Sequence, residues 1–311
     1  MTRSCTLFLM TCLMLVGLWS LGGCNGARDT AVNMLEKNRP NGFMIETVHN
    51  AGRDRKYGLF VPLNYNPKVN YPVIIFLHGM GEGGNSAKKN LRVGLAPFVA
   101  DRAGNFPFIC IFPQSPNGNW DEDSDAASDV IACLTEVSRK YSVDAARVYL
   151  TGLSTGGYGT WAIGAKYRER FAALVPMGTS KNPCEFADLL TSMPIRCYHN
   201  NGDFCAAMWN DDSMCDRINM LGGHAEMIKT DGPGHDCWEI AYGETDMFSW
   251  LLTKQRPSAS KTPTASLPTA AQPRRGFTAT SVDAIIPTNV PASATPYITT
   301  PSAPSIPVTP Y

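Results

Sequence analysis

The sequence predicts an α/β fold: a mostly parallel central sheet with an antiparallel N-terminal hairpin and helices on both faces. Two observations carry that prediction. From residue 71 onward, short and mostly apolar runs alternate with longer amphipathic stretches, which is how a parallel sheet covered on both sides reads. Ahead of them, strand-like runs at 43–50 and 55–62 are joined by Ala51-Gly52-Arg53-Asp54, the chemistry of a hairpin turn. The later runs fall at 73–77, 108–112, 148–151, 172–176, 195–199 and 225–229. Helices are expected at 87–100, 123–141, 156–167, 207–221 and 237–252. In folds of this kind reactive groups gather beyond the carboxyl ends of the strands.

Composition bounds what such a domain can do. At 44% hydrophobic and 17% charged, the 311 residues can bury a sizeable core, and 27 basic against 27 acidic side chains leave no net charge to draw nucleic acid. Residues 1–23 read as an export signal, with Arg3, an apolar run at 7–19 and the small-residue site Leu21-Gly22-Gly23-Cys24. That site resembles the bacterial lipobox, which implies lipidation of Cys24 and attachment to a membrane; the alternative is an ordinary signal peptide with a coincidental cysteine and a secreted product. Residues 24–41 are expected to be a polar, mobile tether and 42–254 the folded domain. Residues 255–311 carry 11 of the chain's 23 prolines and no periodicity, so a disordered tail is expected. Of ten cysteines, Cys5 and Cys12 lie in the leader and Cys24 directly follows it. The other seven form no C-x-x-C pair, which argues against zinc; export favours disulfides, and Cys110 and Cys133 fall where small buried hydrophobes are expected. No metal or organic cofactor is indicated.

The strongest local signal for chemistry is Gly152-x-Ser154-x-Gly156, between a β run and a helical stretch. Small residues two positions either side of a serine let strand and helix pack around a strained turn that exposes the hydroxyl as a nucleophile. Such a serine needs a base within hydrogen-bond reach. Among five histidines, His235 lies in the glycine-rich loop after the last strand. His78 and His199 end strands, where local hydrogen bonding explains them; His224 sits in a turn and His49 in the hairpin. An acid to orient the base is expected after the strand 195–199, where Asn200-Asn201-Gly202-Asp203 offers Asp203 in a turn. Asp211 and Asp212 are rivals, but the predicted helix 207–221 puts them on a solvated face. Two backbone N–H groups should meet a developing oxyanion. Thr155, at the helix start, supplies one; the loop His78-Gly79-Met80-Gly81 supplies the other through Met80, with Gly79 as the alternative.

Residues 42–253 resemble the esterase and phospholipase/carboxylesterase branch of the α/β hydrolases, which includes feruloyl-esterase-like, polyhydroxybutyrate-depolymerase-like and prolyl-oligopeptidase-like proteins. The matching pieces are Phe76-Leu77-His78-Gly79, Pro113-Gln114, Gly152-Leu-Ser154-Thr-Gly156-Gly-Tyr-Gly-Thr-Trp161, Arg170-Phe-Ala-Ala-Leu-Val-Pro176, Gly202-Asp203 and Gly234-His235-Asp-x-Trp238. The order Ser, Asp, His is that of this fold. The resemblance implies an α/β-hydrolase fold and a serine carboxylic-ester hydrolase using Ser154, His235 and Asp203. The chain departs from the family after the acid, with Phe204-Cys-Ala-Ala-Met-Trp209 in place of a Pro- and Val-rich segment. Cys205 and Cys237 each lie two residues past a triad member, which suggests a disulfide between the two loops. The short stretch between the strands ending at 176 and starting at 195 leaves no room for a lid, so an open cleft for short or polymer-linked acyl esters is expected. Trp120 either lines that cleft or packs. The alternatives are a prolyl-oligopeptidase-like peptidase, which a propeller or gating domain upstream would favour, and an inactive surface-binding lipoprotein.

Overall fold

The structure, a computed structural model, describes residues 31–32, 35 and 41–257. The leader 1–23, Cys24 and the tail from residue 258 lie outside the described residues, as does most of the tether. Eight strands form one sheet: β1 (Gly42–Asn50), β2 (Arg53–Val61), β3 (Tyr71–Leu77), β4 (Ile109–Phe112), β5 (Val143–Leu153), β6 (Ala173–Met177), β7 (Ile195–Asn200) and β8 (Ala225–Thr230). Their order is β1-β2-β4-β3-β5-β6-β7-β8. The first two strands pair antiparallel, as do β2 and β4, and every other pair is parallel. Asn50 pairs with Arg53, so the hairpin turns on two residues, Ala51 and Gly52, both at positive φ (48° and 75°). That geometry matches the twist of the flanking strands.

The central strands are apolar without interruption because both of their faces are covered. Val73, Ile75 and Leu77 of β3 join one buried cluster; Ile74 and Phe76, pointing the other way, join a second. The first cluster is closed by α2 (Asp125–Lys140) and by much of α3 (Thr155–Lys166). Helix α2 starts at Ser124, whose hydroxyl accepts the Ala127 N–H at 3.1 Å, and ends on Arg139 and Lys140, charges suited to its carboxyl-terminal dipole. The second cluster is closed by α1 (Leu95–Asp101), α5 (Cys237–Glu244) and α6 (Met247–Leu252); α4 (Trp209–Met220) packs beside β7 and β8. Ala31 is fully buried in the second cluster and Val32 and Leu35 pack against it, so this part of the expected mobile tether is docked on the domain. Among the described residues no helix is long and apolar enough to cross a membrane.

Two predicted helices are shorter than their periodicity suggests. The stretch 87–100 is helical only from Leu95, after a single 3₁₀ turn at Asn90–Arg92. Gly94 interrupts it at φ 58°, with the Phe76 ring so close that a Cβ would lie 2.7 Å from it. The stretch 237–252 breaks between α5 and α6 at Thr245, an extended residue whose hydroxyl donates to the Ala241 carbonyl (2.7 Å) and accepts the Met247 N–H (3.2 Å). One side chain thus ends the first helix and begins the second. Gly94→Ala, which adds both a clash and a strained φ, should lower the unfolding free energy by about 1–3 kcal/mol. Urea denaturation measures this, and an unchanged midpoint would mean that the Phe76 ring yields.

Candidate active site at the strand ends

Ser154 lies between the last residue of β5 and the first of α3, at φ 56° and ψ −117°. A non-glycine residue in that region stores of order 1–3 kcal/mol of backbone strain and needs surroundings that enforce it. Here the enforcement comes from absent side chains. A Cβ on Gly156 would stand 2.1 Å from the Leu77 carbonyl oxygen, and one on Gly152 would stand 2.3 Å from the Gly156 carbonyl. The elbow is tied to the next strand by the Ser154 N–H, which donates to the Met177 carbonyl at 2.9 Å, and by the Ser180 N–H, which donates back to the Ser154 carbonyl at 3.3 Å. The serine is half-buried.

Asp203 and His235 meet from two neighbouring loops. His235 Nδ1 donates to Asp203 Oδ2 at 2.6 Å, while Asp203 Oδ1 accepts the N–H groups of Cys205 (2.8 Å) and Ala206 (2.9 Å). The loops are laced together: the Asn201 N–H reaches Thr230 O (2.7 Å), the Gly202 N–H reaches Gly232 O (3.2 Å) and Asn200 Nδ2 reaches Gly234 O (2.9 Å). Burial would raise the Asp203 pKa, but the hydrogen bonds from His199 and His235 outweigh it and hold the carboxyl well below the usual carboxylate range. The Asp203 side chain is fully buried and that of His235 is 13% exposed. His235 and Ser154 converge on Gly178: a Cβ there would lie 3.2 Å from His235 Cε1, and the nearby residues Met177 and Ser180 carry the backbone bonds to Ser154. No hydrogen bond joins Ser154 Oγ directly to the imidazole among the described residues; that bond is commonly loose until substrate binds.

The loop after β3 closes the other side of the serine. A Cβ on Gly79 would be 3.5 Å from Ser154 Cβ. The buried His78 ring fixes this loop by donating from Nδ1 to the Gly79 carbonyl (2.7 Å) and accepting at Nε2 the Ser115 N–H (3.0 Å) and the Gln114 amide (3.0 Å). Burial pushes the pKa of His78 down to about 4, against the pull of its backbone bonds to Gly79 and Ser115, so the ring is neutral at physiological pH. Met80 then opens a 3₁₀ turn, pressed from behind by Gly118, where a Cβ would lie 2.7 Å from Met80 Cα. Thr155 is the first residue of α3, and N–H groups of a first turn have no intrahelical acceptor.

Residues 115–191, which span the elbow, match the prolyl oligopeptidase family. A bifunctional acetylxylan esterase/xylanase of Neocallimastix patriciarum is 28% identical over 158 residues, 49% of this chain and 21% of that protein. Feruloyl esterase B of Neurospora crassa is 31% identical over 134 residues, 40% of this chain and 44% of that protein. The chain thus spans less than half the length of these curated relatives. Among solved structures, a thermostable esterase superposes with a TM-score of 0.61 at 25% identity, covering 69% of this chain and 63% of that one. The chain has the α/β-hydrolase fold. The curated relatives named here are esterases, whereas the family match is to the prolyl oligopeptidases.

The structure brings Ser154, Asp203 and His235 to one edge of the sheet, with Thr155 next in the chain and the Gly79–Met80 loop beside the serine. It revises three other expectations. Trp120 is buried, not in a cleft: its indole N–H donates to the His78 carbonyl at 2.8 Å and its ring meets the His78 ring edge-on. Cys237 is a free, buried thiol donating to Tyr198 O at 3.4 Å, so no bond joins it to Cys205. Asp211 is not on a solvated face but fully buried, bonded to His199, Thr179 and Trp161, whereas Asp212 pairs at the surface with Lys229. Gly178 and Thr179, which seat the imidazole and the Asp211 carboxylate, went unremarked in the sequence; a glycine directly after a strand that ends at 177 is the one signal that points to them. Among the described residues no set of three or more His, Cys, Asp and Glu side chains is arranged to hold a metal ion.

The neutral ring of His78 links the site to pH. With a folded pKa near 4 against 6.5 unfolded, the folded state binds fewer protons than the unfolded one between those values. Its contribution to stability is therefore complete above pH 6.5 and is lost as pH falls to 4. The thermal midpoint should drop across that window, and His78→Gln should shallow the slope; equal slopes in both proteins would assign the acid sensitivity to other groups.

Proposed function

We propose that this chain is a serine carboxylic-ester hydrolase working through an acyl-enzyme. The observation that carries the reading is the 2.6 Å bond from His235 to a buried, ionised Asp203, facing a strained Ser154 across Gly178. Asp203 fixes the tautomer with Nδ1 protonated, which leaves Nε2 as the base. As Ser154 Oγ attacks the ester carbonyl, its proton passes to His235 Nε2 and the carbonyl oxygen becomes an oxyanion held by the N–H groups of Thr155 and Met80. Collapse breaks the ester C–O bond, and His235 returns the proton to the departing alcohol. Water then repeats the sequence on the acyl-serine and releases the acid.

Short or polymer-linked acyl groups suit the surroundings. The connection between β6 and β7, residues 178–194, holds one 3₁₀ segment and no lid-sized insertion. Met80, Phe204 and Trp209, 43%, 59% and 63% exposed, stand on or beside the loops that carry the proposed oxyanion donor and acid, so the rim is apolar and open. The names of the relatives, an acetylxylan esterase and a feruloyl esterase, support acetyl or feruloyl esters as substrates. On the same reading Leu21-Gly22-Gly23-Cys24 directs export, with the enzyme lipid-anchored through Cys24 or released. A second reading, peptide-bond cleavage, is favoured by the match of residues 115–191 to the prolyl oligopeptidase family.

Ser154→Ala and His235→Ala should each lower kcat on p-nitrophenyl acetate by about 10³-fold or more while leaving the circular dichroism spectrum intact. Comparing kcat/KM for acetylated or feruloylated oligosaccharides with that for peptide amides separates the two readings. A higher value on the amide would overturn the esterase assignment.

A further inference from the structure

Behind the Asp203–His235 pair lies a second layer of charge. His199, near the end of β7, and Asp211, in the first turn of α4, have fully buried side chains. His199 Nδ1 is 2.7 Å from Asp211 Oδ2; its Nε2 is 3.1 Å from Asp203 Oδ2 and 3.2 Å from the Ala206 carbonyl. Asp211 is otherwise filled by donors, with Thr179 N–H on Oδ2 (2.9 Å) and the Trp161 indole on Oδ1 (3.1 Å). Both faces of Nε2 meet acceptors, so that nitrogen carries hydrogen. The other nitrogen faces a carboxylate oxygen, and a ring without a proton there would turn a lone pair onto an anion. Hydrogen on both nitrogens satisfies every contact.

We propose that His199 is held as an imidazolium between Asp203 and Asp211 and acts as a positioning residue, clamping the Asp203 carboxylate against His235 and offsetting part of its charge. The inference rests on the catalytic reading of Ser154, His235 and Asp203. Two carboxylates and one imidazolium sum to a single negative charge, so the layer orients Asp203 without adding to the charge that faces His235. Burial would lower the His199 pKa, but the bonds to Asp203 and Asp211 raise it to about 10. The remaining groups around it do not compete. Lys229, paired with His199 in the β7–β8 register, is taken up by Asp212 at 2.9 Å, and burial pushes the thiols of Cys197 and Cys237 well up, leaving them neutral; Cys215 of α4 neighbours Cys197.

Loss of that positive charge should favour the protonated form of His235. In His199→Gln the acid limb of kcat/KM for an acetyl ester should therefore move to higher pH by roughly one unit. Asp211→Asn, which removes the counter-charge that holds the imidazolium, should move it the same way by less. Both should lower kcat by up to about 100-fold with little change in KM, as expected for a misplaced acid. Folded variants, judged by near-ultraviolet circular dichroism, whose acid limb coincides with that of the parent would overturn the proposal. If the variants fail to fold, ¹⁵N-histidine NMR of the unaltered protein decides: the His199 ring should show both nitrogens protonated at pH 8, and a neutral tautomer would overturn it. Full ester hydrolysis by Ser154→Ala would instead sink the catalytic reading, whatever the charge on His199.

Discussion

Helix α3 meets the sheet backbone to backbone, and that approach determines where every group of the site can stand. The Gly156 position abuts the Leu77 carbonyl at the end of β3, that of Gly157 abuts the Met177 carbonyl at the end of β6 (2.5 Å to a built Cβ), and that of Gly159 abuts Trp120 (2.4 Å). One helical turn therefore gathers two strand ends and the loop after β4. Any side chain at these positions would push the helix outward and relax the turn at Ser154. The helix has no polar face to speak of, since residues 156–165 are all buried. Its stability comes from that enclosure: burial of a side chain such as Ile163 or Trp161 contributes about 1.5–3 kcal/mol, comparable with the strain held at the elbow. The same geometry aims the positive end of the helix dipole at the serine, where negative charge would develop.

Around this fixed point, three histidines differ in the hydrogen-bonding sense of their neighbours. His78 is met at Nε2 by two N–H donors, so a proton there would have nowhere to point, and burial completes its neutralisation. His199 is met at both nitrogens by acceptors, two of them carboxylates, and these outweigh a comparable burial. His235 has one carboxylate on Nδ1, and its ring is the only one of the three that reaches solvent. On the proposed reading His235 exchanges a proton with substrate, and such a ring needs that asymmetry: one side committed, the other open. The two buried rings act as struts, His78 under the loop of Gly79 and Met80, His199 under the acid.

These differences explain what could be read from the chain and what could not. The central strands were legible because uninterrupted apolar runs such as 73–77 have few alternatives in a two-faced sheet, and the loops of Ser154, Asp203 and His235 were legible because each comes after a strand of that sheet, β5, β7 and β8. The elbow was clearest, since Gly152 and Gly156 announce a backbone contact that has its own sequence signature. Asp211 was misread for a specific reason. Its neighbour Asp212 does face solvent, and helix α4 is too weakly amphipathic for periodicity to say which of two adjacent aspartates turns inward; that is decided by Trp161 and Thr179, contributed by α3 and by the segment after β6. Trp120 was left open between cleft and core for a similar reason, because its burial depends on the glycine at 159 and the carbonyl at 78, both distant in sequence. The failed disulfide shows the converse error: Cys205 and Cys237 do sit on adjacent loops, but the Cys237 side chain turns under the sheet edge to the Tyr198 carbonyl. Proximity of loops follows from topology, whereas the direction of a side chain follows from which face of its element is already filled.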